Sequence, residues 1–278
     1  MSEKTRDYIL KIWISLSVLL VLSLLVYIFG YIFKSGLAAI DFDFIFSGPK
    51  GRPIGSEGGI FPAIVGSVFL MLIACIFAAI FALSTSIYIV FYSPSKKVEK
   101  MIHLIIQSMA GIPSIVLGLF GYSFLVLGLG LGRSLLAGGL TLSIMIFPYM
   151  QIRIEKTFRE VEEDLIESSY ALGASKSFTI FRLILPLCKS DIVSAITLAG
   201  GYAMGASAPI IATAAVLFAP APRSLLSPVM ALPFHLYILT GEGISLEKAY
   251  GTALVLIVLL LILNVFSLAL NLKRREDL

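Results

Sequence analysis

Charge is scarce in this chain. Only 14% of its 278 residues are Asp, Glu, Lys or Arg, against about a quarter in soluble domains. With 58% hydrophobic residues and a mean hydropathy of +0.99, there is too little polar surface to cover a soluble core, so the chain is of the membrane class. Cysteine is nearly absent. Cys75 lies inside an apolar run and Cys188 beside the end of another; they cannot meet without unfolding a helix, which excludes a disulfide and leaves both as small hydrophobes. There are two histidines, His103 and His235, far apart in sequence. No zinc or His-based catalytic site is visible, and both read as interfacial residues. The only glycine-rich stretch, Gly128-Leu129-Gly130-Leu131-Gly132-Arg133-Ser134, lacks the GxxxxGK[ST] spacing that cradles a nucleotide phosphate. No acidic cluster offers itself to Mg²⁺. The expectation is a chain that is not itself an enzyme, with no catalytic residues, no metal and no cofactor of its own.

What is present is a series of apolar runs near the 20 residues that a bilayer requires. Six are predicted to span: Ile12–Phe33, Ile60–Leu83 (its end blurred out to Phe91), Ile102–Leu127, Ser134–Ile152, Ile192–Leu217 and Tyr250–Leu272. The first is too long for a signal-peptide core, although the small residues Gly36 to Ala39 leave cleavage as an alternative. Six spans put both termini on one side. That side, with the loop after span two and the block between spans four and five, carries 15 of the 21 Lys and Arg. The positive-inside rule makes it cytoplasmic. The pI near 9.0 therefore reflects topology rather than nucleic-acid binding.

No Asp or Glu falls within a predicted span. Ion-driven carriers bury such groups at the midplane, so their lack argues that the energy comes from outside the chain. No internal repeat supports an inverted-repeat carrier.

The block REVEEDLIESSYALGASKSFTIFRLILP, residues 159–186, interrupts this apolar background. Leu165, Ser168, Ser169 and Leu172 recur at helical spacing over 160–172, and Gly173 suits the left-handed residue that ends a helix. Ser175 can cap a second helix through Phe178, Phe181 and Leu185, with Pro186 marking its end. A solvated loop is the plain alternative. The spacing Glu167-Ser168-Ser169, three residues, Gly173, nine residues, Leu183-Ile184-Leu185-Pro186 resembles the EAA loop of ABC importer permeases, with serines for the alanines and leucine for isoleucine. The resemblance implies an ATPase-docking surface made of Glu167, Ser168, Ser169 and the elbow Ala171, Leu172, Gly173, Ala174, Ser175, Lys176 and Ser177, closed by Pro186.

Two further stretches, 58–67 (GGIFPAIVGS) and 110–121 (AGIPSIVLGLFG), with Ala208-Pro209, resemble the phosphate-specific permeases of the PstA type. Pro113 is expected to free the carbonyl of Met109, Pro148 that of Ile144 and Pro209 that of Gly205; such carbonyls are tolerated only against protein or water. Gly111, Pro113, Ser114, Gly205, Ala206, Ser207 and Pro209 are thus candidate pathway or gate residues, and the resemblance adds Tyr202. Helix packing through Gly201-xxx-Gly205 is the other open reading of that face. The chain departs from the resembled family in span five, where Tyr202 and Ala206 stand at the Arg and Glu positions, and in span four, where Ile152 stands at an Arg position with Arg153 one residue later.

The expected architecture is an all-α membrane protein of six transmembrane helices, the ABC type I importer permease fold with cytoplasmic coupling helices. Residues 1–59 would hold the first span and an external loop, 60–217 the core with the coupling loop at about 153–190, and 218–278 an external loop and the last span. The resemblance implies a second, PstC-like permease, two ATPase subunits carrying ATP and Mg²⁺, an external binding protein, and a bacterial or archaeal inner membrane with both termini cytoplasmic. It implies phosphate as cargo. Another oxyanion (molybdate, tungstate, sulfate) and a non-transporting scaffold remain alternatives, since the missing Arg/Glu pair leaves the cargo open. Leu225–Leu239 is apolar enough to lie along the membrane surface or fill the outer mouth.

Overall fold

A computed structural model describes the chain from residue 3 to 276, with side chains from 6 to 269. The side chains of Lys4, Lys273, Arg274 and Arg275, which enter the charge argument, lie outside the described residues. Chain order is α1 (Glu3–Leu37), α2 (Phe42–Phe46), a hairpin of β1 (Pro49–Lys50) and β2 (Glu57–Gly58), α3 (Phe61–Ile87), α4 (Lys96–Ala110), α5 (Ser114–Gly121), α6 (Leu135–Arg159), α7 (Glu163–Ala171), α8 (Lys176–Phe178), α9 (Leu185–Met204), α10 (Ala208–Thr213), α11 (Leu232–Gly241) and α12 (Leu246–Glu276). Wide π turns extend α3 to Tyr92 and α5 to Gly128, and join α8 to α9. Among the described residues five helices are long and apolar enough to cross a membrane, and α4 with α5 supplies a sixth only as a pair bent by 94°. Serine and threonine side chains inside these helices satisfy themselves locally: Ser108, Thr141 and Thr197 each donate to the carbonyl one turn back, as an apolar surrounding demands.

α3, α6 and α9 make the centre, and small residues set how closely they pack. A Cβ on Gly139 of α6 would stand 2.4 Å from the Ile73 side chain of α3, and one on Gly200 of α9 2.9 Å from Cys75 Sγ. α12 lies on α9, where the hydroxyls of Ser194 and Ser267 are 2.6 Å apart. α1 is exposed from residue 6 to 31. It meets α12 near one end, where Tyr31 sits edge-on to Tyr250 and Gly36 lies against the Tyr250 carbonyl.

Several expectations are corrected. The third span is not one helix. Pro113 has no N–H and forces Ile112 out of the helical region, so the chain turns between α4 and α5. The Met109 carbonyl is not freed, because it accepts from the Ile112 N–H at 3.2 Å in the tightened turn. The fifth span breaks before Pro209, at Gly205 to Ser207; Pro209 sits in the first turn of α10, where no helical donor is needed. Pro186 does not end a helix. The wide turn Thr179–Ile184 accommodates it, and α8 continues through α9 as a single rod from Lys176 to Met204. The Leu225–Leu239 stretch divides: Leu225 and Leu226 are exposed, whereas Val229, Met230, Ala231 and Leu232 are all buried. The Leu232 N–H donates to Ser67 Oγ at 2.8 Å, and Gly66 comes so close to the Met230 carbonyl that no Cβ would fit.

Candidate coupling surface and pathway

The loop after α6 begins as that helix ends at Arg159 and turns through residues 160–162 into α7. Gly173 has φ +80° and nothing within 4 Å of where a Cβ would be, so it is an exposed hinge. The cap at Ser175 forms, its hydroxyl accepting from the Phe178 N–H at 3.3 Å. The inward face of α7 is not the Leu165–Leu172 stripe. Ile166 packs against the core, and Ser169 Oγ meets Thr179 Oγ1 at 2.9 Å. Leu165, Tyr170 and Leu172 point outward with Glu167 and Ser168, and Leu172 is 89% exposed. Ala171, Lys176, Ser177 and Pro186 are likewise exposed, and Ala174 half-buried. The Lys176 ammonium lies 4.8 Å from the Tyr92 ring, and Tyr92 Oη is 3.4 Å from Ser177 Oγ. The elbow thereby touches the end of α3, a link between residues far apart in sequence.

A second contact network, also missed by sequence reasoning, ties α4 to α6. Glu155 is buried. Its Oε1 accepts from Arg159 Nε at 2.8 Å and lies 3.3 Å from His103 Nε2, while its Oε2 accepts from Gln151 Nε2 at 2.8 Å. Arg159 also reaches Glu99. Glu99, His103 and Glu155 together have the donor set of a metal site. The guanidinium already bridging both carboxylates makes the set an ion-pair network instead.

The break after α9 opens onto a cavity of about 310 Å³ lined by Ser114, Gly201, Tyr202 and the whole run Gly205–Pro209. Of the eight candidate pathway residues, Ser114, Tyr202, Gly205, Ala206, Ser207 and Pro209 meet there; Gly111 and Pro113 do not line it. Met109 lines a separate cavity of about 250 Å³ with Ile144. Gly201 and Gly205 are not where helices pack most closely: a Cβ on Gly201 would stand 3.7 Å from the Leu260 side chain, an ordinary contact, and one on Gly205 would meet only its own helix. Gly118 supplies the tight contact, lying against the Ala208 carbonyl and Pro209. A further groove of about 450 Å³ runs between α6 and α9, and Ile152 and Arg153 both line it. The one-residue offset of the arginine therefore leaves it on the groove.

The chain matches known proteins over most of its length. Residues 84–277 match the family described as binding-protein-dependent transport system inner membrane component. The chain is 26% identical over 279 residues to a probable ABC transporter permease protein, YqgI, of Bacillus subtilis (strain 168), covering 95% of this chain and 94% of the relative. It is 32% identical over 209 residues to a probable phosphate transport system permease protein PstA of Methanocaldococcus jannaschii, covering 74% and 73%. Among solved structures, a bacterial alginate ABC transporter in complex with an alginate pentasaccharide-bound periplasmic protein superposes with TM-score 0.68 at 16% identity, covering 95% of this chain and 93% of that one. An inward-facing MetNI methionine ABC transporter gives TM-score 0.64 at 18% identity, covering 77% and 94%. At these identities the structural likeness is one of fold.

Proposed function

We propose that this chain, which belongs to the family of binding-protein-dependent transport system inner membrane components, forms one half of the membrane pathway of a phosphate importer. It is an ABC importer permease. The observation that carries the mechanism is the exposed loop of α7 and α8, hinged at Gly173 and continuous through a single rod with the broken helix that lines the cavity. A push on that loop moves α9 as a rigid body, which is how a distant ATP-driven closure reopens a pathway.

The partners in this reading are a second, PstC-like permease, two ATPase subunits that bind ATP and Mg²⁺, and an external binding protein that selects the cargo. The ATPases dock on Glu167, Ser168, Ser169 and the 171–177 elbow. The membrane is the inner membrane of a bacterium or archaeon, with both termini cytoplasmic. Phosphate is supported by the likeness to PstA relatives. One observation favours a different oxyanion: Tyr202 and Ala206 face the cavity where the resembled family carries charge. Uptake of labelled phosphate in vesicles holding the purified complex, with molybdate, tungstate and sulfate as competitors, separates the two. Phosphate uptake resistant to all three supports the proposal, and uptake confined to tungstate or molybdate overturns phosphate.

A further inference from the structure

The groove between α6 and α9 is built from one face of each helix. Tyr149, Arg153 and Lys156 recur at three- and four-residue spacing on α6, and Ala195, Ala199 and Tyr202 do so on α9, the periods at which side chains share a helix face. The facing wall carries Ala195, Leu198 and Ala199, and the two alanines leave a volume of about 450 Å³ open. The charge in this lining is of one sign. Arg153 makes no ion pair among the described residues, Lys156 has only a 3.6 Å contact with the exposed Glu160, and no carboxylate lines the groove. Two phenols complete it. The rings of Tyr149 and Tyr202 lie 5.0 Å apart, centroid to centroid. Tyr202 is the side chain common to this groove and to the Gly205–Pro209 cavity. The groove lies toward the end of α6 that enters the coupling loop.

We propose that Arg153 and Lys156 hold a tetrahedral oxyanion on the coupling-loop side of a Tyr149–Tyr202 partition, as a second station that the cargo reaches after the Gly205–Pro209 cavity. The proposal rests on the importer reading above. A guanidinium offers two parallel N–H donors to an oxyanion and an ammonium adds a point charge; phenol hydroxyls donate without adding charge. The cavity around Gly205–Pro209 has no charged lining, so it passes an anion without trapping it. The Arg153/Lys156 groove then draws the anion onward. Both side chains are exposed, which keeps the hold weak enough for release, since binding must be loose for conduction.

The test uses the full complex of both permeases, ATPases and binding protein in proteoliposomes. Wild type is first assayed for phosphate, molybdate, tungstate and sulfate, and the variants are then assayed with whichever anion it moves. Arg153→Gln and Lys156→Gln are each expected to lower maximal uptake about tenfold, the scale of one lost charge-assisted hydrogen bond, with the half-saturating anion concentration unchanged because selection occurs outside the membrane. Arg153→Lys restores much of the rate. Wild-type uptake by Arg153→Gln and Lys156→Gln overturns the station while leaving the importer reading intact. Uptake of tungstate alone by wild type removes phosphate and leaves the station standing, provided the Gln variants are slow for tungstate. A wild type that moves none of the four anions overturns both.

Discussion

The Nε–H of Arg159 donates to Oε1 of Glu155 at 2.8 Å, one helical turn apart on α6. The acid is buried and the guanidinium half in solvent. The two partners are therefore unequal. Removing Glu155 (Glu155→Met) leaves Arg159 still paired with Glu99 at the solvent edge, whereas Arg159→Met strands a buried carboxylate that keeps only Gln151 and His103. Breaking a fully buried pair costs about 3–5 kcal/mol. With one partner half exposed, Arg159→Met is expected to cost about 2 kcal/mol and Glu155→Met less. Thermal unfolding of the detergent-purified protein checks the order, and a larger loss for Glu155→Met contradicts it.

Gly66 packs directly on the backbone carbonyl of Met230, where an added Cβ would lie 2.0 Å from the oxygen. Backbone cannot rotate away as a side chain can, so Gly66→Ala must shift the 229–232 segment and strain the Leu232–Ser67 hydrogen bond. Overpacking of this kind costs about 1–3 kcal/mol. Gly30, with nothing within 4 Å, is the control: Gly30→Ala should leave the melting temperature unchanged or raise it. Equal melting temperatures for the two variants would show that the close approach is not what holds α11.

His235 is buried, and its Nδ1 lies 3.2 Å from Thr252 Oγ1, which itself donates to the Lys248 carbonyl. The imidazole is therefore the donor to Thr252. Burial first, then the positive charge of Lys248, pushes its pKa down from 6.5 to about 4. Between pH 6.5 and 4 the unfolded chain takes up a proton that the native imidazole refuses, so this contribution to stability is complete above pH 6.5 and is lost as pH falls toward 4. Melting temperature should decline through that window, and His235→Asn, which keeps a donor near Nδ1, should flatten the decline. A slope unchanged by His235→Asn assigns the acid sensitivity elsewhere.

Gly173 holds φ +80° at an exposed elbow. Asparagine tolerates that region and a β-branched residue does not. Gly173→Val is expected to cost the elbow about 1–2 kcal/mol and to abolish ATP-driven uptake, with membrane insertion intact; Gly173→Asn should retain uptake. Parallel uptake and membrane-abundance measurements read the outcome. Normal transport by Gly173→Val contradicts the docking role.

Long apolar runs made five of the crossing helices legible in the sequence, because a bilayer admits little else. The bend at Pro113 was harder to read. Lys96, Glu99, Lys100, His103 and Gln107 mark a polar face on α4, but a window of twenty residues averages it into the apolar stretch that follows. The elbow at Gly173 was visible because a left-handed turn restricts residue type locally. The face that α7 turns inward was not, since Ile166 and Ser169 are chosen by partners such as Thr179 across the turn. The pairing of His103 with Glu155 joins residues from separate helices and leaves no periodic trace. The break at Gly205–Pro209 has a local sequence signal, because a proline after small residues interrupts a helix. The groove at Arg153 and Lys156 has none, because it needs the facing alanines of α9 to exist.

The most direct test of the central claim is labelled phosphate uptake by the reconstituted complex, measured with and without ATP, with and without binding protein, and under an imposed ion gradient. The account predicts uptake only when ATP and binding protein are both present, and none from the gradient alone. Phosphate accumulation driven by the gradient in vesicles lacking the ATPase would contradict it.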